Sequence, residues 1–393
     1  MEQINQKRTL PSVTVVIPNY NGIKYISDCI SSLLRDMDTC TDMQEGQQVQ
    51  AQIIVVDNGS ADGSYELVRD SFAANDGKLQ NHPVTLLRLS ANTGFCHAVN
   101  AGIHITRTSY VILLNNDTCV RPGFIRTLTQ FMESHPRAFS AQARMLDMHN
   151  PDVIDDAGDL FCCLGWAFAR GKGKPANAHR YNRIRKIFSA CGGAAIYRME
   201  IFEQIGLFDE RHFCYLEDVD IGWRALLAGY DNYYVPQAEV LHAGSASTGS
   251  RHNPFKELMT AGNCSYLIYK NMPALQYALN YPMIRIGIAI KRAYFRKKGL
   301  GAAYESGIAR GGILRWRAAL QMQALMEDDF YAKDMTTQEA CLPEENQNGL
   351  ENFYPMYLGT KVPFFWRAVP DYFRIQWMLI RNTFLRLAEA MNH

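Results

Sequence analysis

The feature that most constrains the fold is a fourfold alternation over the first third of the chain. VTVVI (residues 13–17), IIVVD (53–57), VTLLRL (84–89) and VILLNND (111–117) are short, apolar and rich in β-branched residues. Each is followed by apolar residues at helical spacing: Ile23, Ile26, Ile30 and Leu33; Tyr65, Val68 and Phe72; Phe95, Ala98, Val99, Gly102 and Ile103; Phe124, Ile125, Leu128 and Phe131. Strands with no polar face must be covered on both sides, which helices between parallel strands provide. The pattern predicts an α/β fold with a mostly parallel sheet flanked by helices. The polar stretch at residues 36–52 reads as a surface insertion.

In such sheets ligands bind beyond the carboxyl ends of the strands. The polar residues collect there: Asn19 and Asn21 after Pro18, Asp57 and Asn58, Asn92, and Asn115, Asn116 and Asp117. One Asn or Asp after a strand is a turn former; four strands ending this way point to a ligand crevice. Tyr20 can stack on a base or simply pack. Asn92 and Gly94 open a helix, whose N-terminus favours phosphate, although Gly94 also suits a plain turn.

Beyond residue 139 the pattern loosens. FSAQARML, LFCCLGWAF and IFSACGGAAIYR read as strands with irregular connections, with Cys162 and Cys163 lining one of them. A short helix is expected at Met199–Ile205, a further helix in YLEDVDIGWRALLAGY, and a strand leading to His242. After about residue 265 the chain becomes helical and amphipathic. The expected division is therefore 1–265, with a first half at 13–146 and a second half at 147–265, followed by a helical region at 266–393.

The 393 residues carry a formal net charge of +1, so nothing marks a nucleic-acid partner. No apolar run approaches the roughly 20 residues of a spanning helix, and no secretory leader is visible at residues 1–12. The ten cysteines have no metal-ligand spacing and read as reduced thiols of a cytosolic protein. No G-x-G-x-x-G or Walker loop follows the first strand, so the usual dinucleotide and triphosphate loops are excluded.

Glu217, Asp218 and Asp220 crowd the start of one predicted helix. The macrodipole alone favours acidic residues there. Asp220 has a structural explanation, the i,i+4 spacing to Arg224. Glu217 and Asp218 remain as candidates for an acidic catalytic pocket, each neighbouring carboxylate tending to raise the pKa of Asp218. Asp117 at a strand end suits a hard divalent cation, which often takes one or two carboxylates plus substrate phosphates. His242 can add an imidazole or be purely structural.

VVIPNYNG, IIVVDNGSADGS, NTGFCHAVNAGI, VILLNNDT, GLFDERHFCYLEDVDIGWRALLAGY and VLHAGSAS occur in one order. As an ordered set over about residues 13–273 they resemble the family 2 glycosyltransferases of GT-A fold, and most of all their bacterial rhamnosyltransferase-like members. The resemblance implies an inverting, metal-dependent transfer of a sugar from a nucleoside-diphosphate donor, with rhamnose from dTDP-rhamnose favoured and UDP-linked hexoses or galactofuranose as alternatives. The acceptor would be a glycan or lipid-linked glycan of surface polysaccharide synthesis. It gives Asp218 the role of general base, Glu217 a place in the acceptor site, Asp57 a nucleobase contact, and Asp117 and His242 the Mg²⁺ or Mn²⁺. The donor nucleotide would meet Pro18, Asn19, Tyr20, Asn21, Asp57, Asn58, Asn92, Gly94, Asn115 and Asn116. Asn115 departs from the family pattern, which has an acidic residue there, and so removes one charge.

Basic and aromatic residues alternate at 291–298 and 310–317, and again in PFFWRAVPDYFRIQWMLIRNTFLRLAEAM. Such segments suit a membrane surface or, equally simply, a solvated helical subdomain. The expected location is cytoplasmic, peripheral on the inner face of the membrane. Two competing readings are a sugar nucleotidyltransferase, which lacks its glycine-rich, lysine-containing loop here, and a non-catalytic sugar- or lipid-binding protein, supported only by Asn115. A glycoside hydrolase would need a second carboxylate across the sugar.

Overall fold

The computed structural model describes residues 10–40, 49–73, 84–244, 252–334 and 369–391. The elements of the first half are β1 (Leu10–Asn19), α1 (Ile26–Cys40), β2 (Val49–Asp57), α2 (Ser64–Val68), β3 (Val84–Arg88), α3 (Phe95–Ile105), β4 (Tyr110–Leu114), β5 (Thr118–Val120) and α4 (Phe124–Ser134). The mixed extension follows: β6 (Ala138–Asp147), β7 (Ile154–Asp156), β8 (Asp159–Phe161), β9 (Ala167–Ala169), β10 (Arg185–Ile187), β11 (Ala194–Arg198), α5 (Met199–Ile205), α6 (Glu217–Leu227) and β12 (Asp231–His242). Four helices complete the described chain: α7 (Pro254–Asn271), α8 (Ala274–Lys297), α9 (Gly301–Asp334) and α10 (Val369–Met391).

The main sheet has the order β10-β12-β6-β11-β4-β1-β2-β3. β1 runs parallel to both β2 and β4, and β2 parallel to β3. β11 is antiparallel to β4 and β6, while β6 and β12 are parallel. The strand order reverses about β1: β2 and β3 extend one way and β4 the other. That reversal opens a crevice at the carboxyl ends of β1 and β4.

The unbroken apolar strands have the predicted cause. Val13, Val15 and Ile17 of β1 pack with Ile26, Ile30 and Leu33 of α1 and Leu128 of α4. Val16 and Val56 face the other way, against Val99 and Ile103 of α3, in a cluster that continues to Ile221 and Ala225 of α6 beneath β6 and β12. A third cluster joins Trp223 and Leu226 of α6 to Leu267 of α7 and Ile375 and Leu379 of α10. Position 265 falls inside α7, and α10 is tied back to the second half, residues 147–265. Asn382 Nδ2 donates to Phe161 O at 2.8 Å, and Arg374 reaches Asp231 at 2.6 Å.

Two sequence expectations need correction. The polar stretch at 36–52 is not wholly a surface insertion, because α1 runs on to Cys40 and β2 starts at Val49. Asp36, Met37 and Val49 are buried, and Asp36 accepts hydrogen bonds from the backbone N–H of Gly123, Phe124 and Ile125. It thereby satisfies orphan donors at the start of α4, a helix with no capping side chain of its own. Residues 41–48 lie outside the described residues. Cys162 and Cys163 do not line a strand: LFCCLGWAF folds back on itself, with Cys162–Trp166 forming the turn between β8 and β9. Both cysteines are nevertheless buried.

Candidate active site

A cavity of about 820 Å³ occupies the crevice. Pro18, Tyr20, Asn58, Asn92, Gly94, Asn115, Asn116 and Asp117 line its nucleotide side, and Glu217, Asp218 and His242 its far side. The two halves of the sequence-derived set therefore face one space, although about 100 residues separate Asp117 from Asp218.

Asn19, Asn21 and Asp57 are not among the lining residues. Asn19 ends β1 beside Asp57 at the end of β2, in register. Its Nδ2 donates to Asp57 Oδ1 at 3.1 Å and to Ser64 Oγ at 2.9 Å, while its Oδ1 accepts from Asn116 Nδ2 at 2.7 Å. This chain ties together the ends of β2, β1 and β4. Gly22 permits it, since a Cβ there would lie 2.1 Å from Asn116 Nδ2 and 2.3 Å from Asn19 Oδ1. Asp57 is fully buried and also accepts from Ser60 N. Asn21 Oδ1 accepts from Ala61 N. Asn58 secures the next loop, accepting from Thr93 N and donating to Asn92 Oδ1 and Gly94 O. Gly94 precedes α3 at φ +93°, with Phe213 where a Cβ would stand, so a left-handed residue lacking a side chain is required.

On the metal side, His242 lies between two carboxylates. Its Nε2 is 3.3 Å from Asp117 Oδ1 and its Nδ1 is 2.8 Å from Asp155 Oδ2. Burial opposes a charge on this ring, but the hydrogen bonds to Asp117 and Asp155 outweigh it and push its pKa up to about 10. Asp155 is held down at about 2: burial would raise it, but His242 and Lys172 overcome that effect. Asp117 and His242 thus present one carboxylate and one imidazole to the cavity, with a second carboxylate orienting the ring from behind. That is the usual support for a metal-binding histidine. The ring can ligate a cation only once its Nε2 proton has left, so cation binding competes with that proton. The donor set fits a hard divalent cation that completes its shell with phosphate oxygens. Ser245, the last residue of the H-x-x-S strand end, lies outside the described residues.

Asp218 is reached through an unusual loop. Phe213, Tyr215 and Leu216 adopt φ of 64°, 69° and 67° just before α6, which costs of order 1–3 kcal/mol per residue. The loop is over-determined: Asn263 Nδ2 of α7 donates to the carbonyls of His212, Cys214 and Tyr215 at 2.7–2.9 Å. Beneath it, Asp220 is removed from the cavity. Arg224 Nε donates to its Oδ2 at 3.0 Å, Lys270 Nζ at 2.9 Å, and Asn271 Nδ2 to its Oδ1 at 2.7 Å. The i,i+4 pair expected from spacing is present. The pKa of Asp220 falls to about 2, because Lys270 and Arg224 overcome its burial.

The pKa of Asp218 is raised, but not for the reason expected from sequence. Burial is the cause, and a hydrogen bond with Asp159 works in the opposite direction. Glu217 is raised well above the usual carboxylate value by burial first and by the Asp218 charge second. Its Oε2 is buried and has no hydrogen-bond partner among the described residues. Asp159 is pushed well above the usual carboxylate value by burial and by Asp156 and Asp218, and the two carboxyls lie within hydrogen-bonding reach of each other.

Asp155, Asp159 and Lys172 all line the cavity and were missed by the sequence reading. The acidic string VIDDAGDL was a visible signal, although spacing alone did not connect it with Asp218 or His242. Asp156, Asp159 and Cys191 also form a compact group. Asp156 is engaged by Gln142 Nε2 and Gly158 N, however, and burial holds the Cys191 thiol protonated. This group is separate from the Asp117–His242 pair.

Residues 14–206 match the family model described as Glycosyl transferase family 2. A relative from Mycobacterium tuberculosis, N-acetylglucosaminyl-diphospho-decaprenol L-rhamnosyltransferase, is 30% identical over 240 residues, covering 55% of this chain and 73% of its own length. Glycosyltransferase GlyG of Streptococcus pneumoniae is 25% identical over 207 residues, covering 51% of this chain and 61% of its own. Among solved structures, GalNAc-T7 with UDP, GalNAc and Mn²⁺ superposes with a TM-score of 0.52 at 15% identity. That match covers 66% of this chain, which spans about half the length of that protein (48%).

Proposed function

The chain belongs to glycosyl transferase family 2, with the GT-A fold, and from that premise we propose an inverting transfer of rhamnose from dTDP-rhamnose to a hydroxyl of a lipid-linked glycan. One observation carries the reading: Asp218, Glu217, Asp117 and His242 line a single cavity at the carboxyl ends of the strands. The name of the mycobacterial relative supports both the rhamnose and the lipid-linked acceptor.

In this mechanism the nucleoside diphosphate lies along the ends of β1, β2 and β4. The network from Asp57 through Asn19 to Asn116 keeps those ends rigid. Tyr20, Asn58 and Asn92 line the nucleotide side, and Asp57 acts by holding the loops that carry them. Asp117 and His242 would hold Mg²⁺ or Mn²⁺, which would supply positive charge against that of the diphosphate leaving group. Asp218 takes the proton of the acceptor hydroxyl as oxygen attacks the anomeric carbon from the face opposite the diphosphate. A hydrogen bond with Asp159 orients its carboxylate. Glu217, with one oxygen unpartnered, accepts a hydrogen bond from a neighbouring acceptor hydroxyl.

Support for a peripheral membrane location comes from the helices. No helix among the described residues is long and apolar enough to cross a membrane. Leu275, Leu279, Ile286 and Ile290 nevertheless form an exposed apolar stripe along α8, and Phe373, Trp377 and Phe384 another along α10. Arg285, Arg296 and Lys297 stand beside the first. Apolar faces with basic flanks bind anionic bilayer surfaces.

The direct test is nucleotide release with a prenyl-diphosphate glycan acceptor. dTDP-rhamnose should turn over and yield dTDP. Turnover of UDP-sugars alone would replace the donor assignment, and pyrophosphate release from a nucleoside triphosphate and a sugar phosphate would replace the reaction.

A further inference from the structure

The β8–β9 hairpin and α7 separate two cavities. Ala167–Ala169 of the hairpin and Thr260 of α7 line the active-site space. The adjoining residues, Leu164–Trp166 and Ala261, line a second cavity of about 290 Å³ among α7, α8 and α9. Its walls are largely aliphatic and aromatic, including Ile268, Ile284, Ile288 and Tyr304. Two cations also line it, Lys291 from α8 and Arg315 from α9. Lys291 Nζ lies 5.7 Å from the centre of the Trp166 ring. The carboxylate next to Tyr304, Glu305, is already taken by Arg292 at 2.5 Å and Arg296 at 3.7 Å. Among the described residues neither Lys291 nor Arg315 pairs with a carboxylate.

An apolar cavity carrying two unmatched cations suits an amphiphile with an anionic head. We propose that it holds the lipid-proximal segment of an isoprenyl diphosphate acceptor, with the first isoprene units inside and the diphosphate between Lys291 and Arg315. The sugar then crosses the hairpin toward Asp218. The inference rests on the lipid-linked acceptor proposed above. The volume is at the lower limit of small-molecule sites, about 300–1,000 Å³, so only a short stretch of chain fits. A longer chain would continue along the exposed Ile286, Ile290 and Tyr294 of α8.

The test is photo-crosslinking of the full chain with a diazirine-bearing farnesyl diphosphate below its micelle concentration. Labelling should saturate and map to peptides containing Trp166, Ile268 or Ile288. Farnesyl diphosphate should compete at least about tenfold better than farnesol or pyrophosphate, and Lys291→Glu with Arg315→Glu should cut labelling about tenfold, a loss of about 1.4 kcal/mol. Lys291→Arg should restore it, and thermal unfolding of each variant reports on folding. Unsaturable labelling, or label confined to Phe373 and Trp377, overturns the site. Equal competition by pyrophosphate reduces it to an anion site and overturns the lipid assignment; equal competition by farnesol removes the role of the cations. If labelling behaves as expected while no prenyl-diphosphate glycan accepts sugar, the acceptor reading fails and the cavity assignment stands.

Discussion

His242 Nδ1 lies 2.8 Å from Asp155 Oδ2, and the opposite ring nitrogen lies 3.3 Å from Asp117 Oδ1. Asp155 fixes which way the imidazole faces, so under the proposed metal role it should govern cation affinity without touching the cation. Asp155→Asn should weaken Mn²⁺ binding by about 10–100-fold. Calorimetric titration of Mn²⁺ into the protein with nucleoside diphosphate present checks this. Unchanged affinity would remove Asp155 from any metal-supporting role.

Asp218→Asn should lower the transfer rate by about 10²–10⁴-fold, the usual contribution of a positioned general base. Donor binding, read by thermal shift with dTDP, should stay within a factor of two or so of wild type, an expectation for a group that acts only on the acceptor proton. Full transfer by this variant would refute the base assignment.

The acid limb of the pH–rate profile tests the Asp159–Asp218 pair. Burial raises Asp218, so the limb should lie above the ordinary carboxylate range. The hydrogen bond from Asp159 lowers Asp218. Asp159→Ala should therefore move the limb to higher pH, whereas Asp159→Asn, which keeps a donor, should move it less. A limb that does not respond to Asp159→Ala would mean the two carboxyls act independently.

Glu217 gives a stability prediction of opposite sign to the usual carboxylate case. Its folded pKa is raised well above the unfolded value of 4.5. The folded state thus holds its proton more tightly, and the stabilisation present below pH 4.5 is lost as pH rises toward the folded value. Glu217→Gln removes this dependence. The variant's advantage in melting temperature over wild type should be smallest near pH 4 and grow toward pH 8. A gap that does not change with pH would contradict it.

Lys270 lies 2.7 Å from Asp209 and 2.9 Å from Asp220, and all three are buried. Lys270→Met leaves two buried carboxylates without their shared cation and should cost about 3–5 kcal/mol. Urea unfolding measures it. A cost below about 1 kcal/mol would place the cluster in the class of surface pairs.

Asp36 and Asp155 show where the sequence reading stopped. Asp36 looked like part of a polar insertion because its partners, the first backbone N–H groups of α4, are about 87 residues away. Asp155 stood in a visible acidic string but meets His242 only because β7 and β12 both pair with β6.

The sequence alone determined the four parallel strands, the helices between them and the polar residues at the strand ends. Those signals are local: side-chain periodicity and turn chemistry act over a few residues. Tertiary structure alone decided that Asp57 and Asn19 turn inward while Asn115–Asp117 face the cavity. It also decided that Asp159 shares a hydrogen bond with Asp218, and that Asn263 holds a left-handed loop in place before α6. Each depends on groups far apart in the chain being fixed within hydrogen-bonding distance, and only the packed core fixes them there.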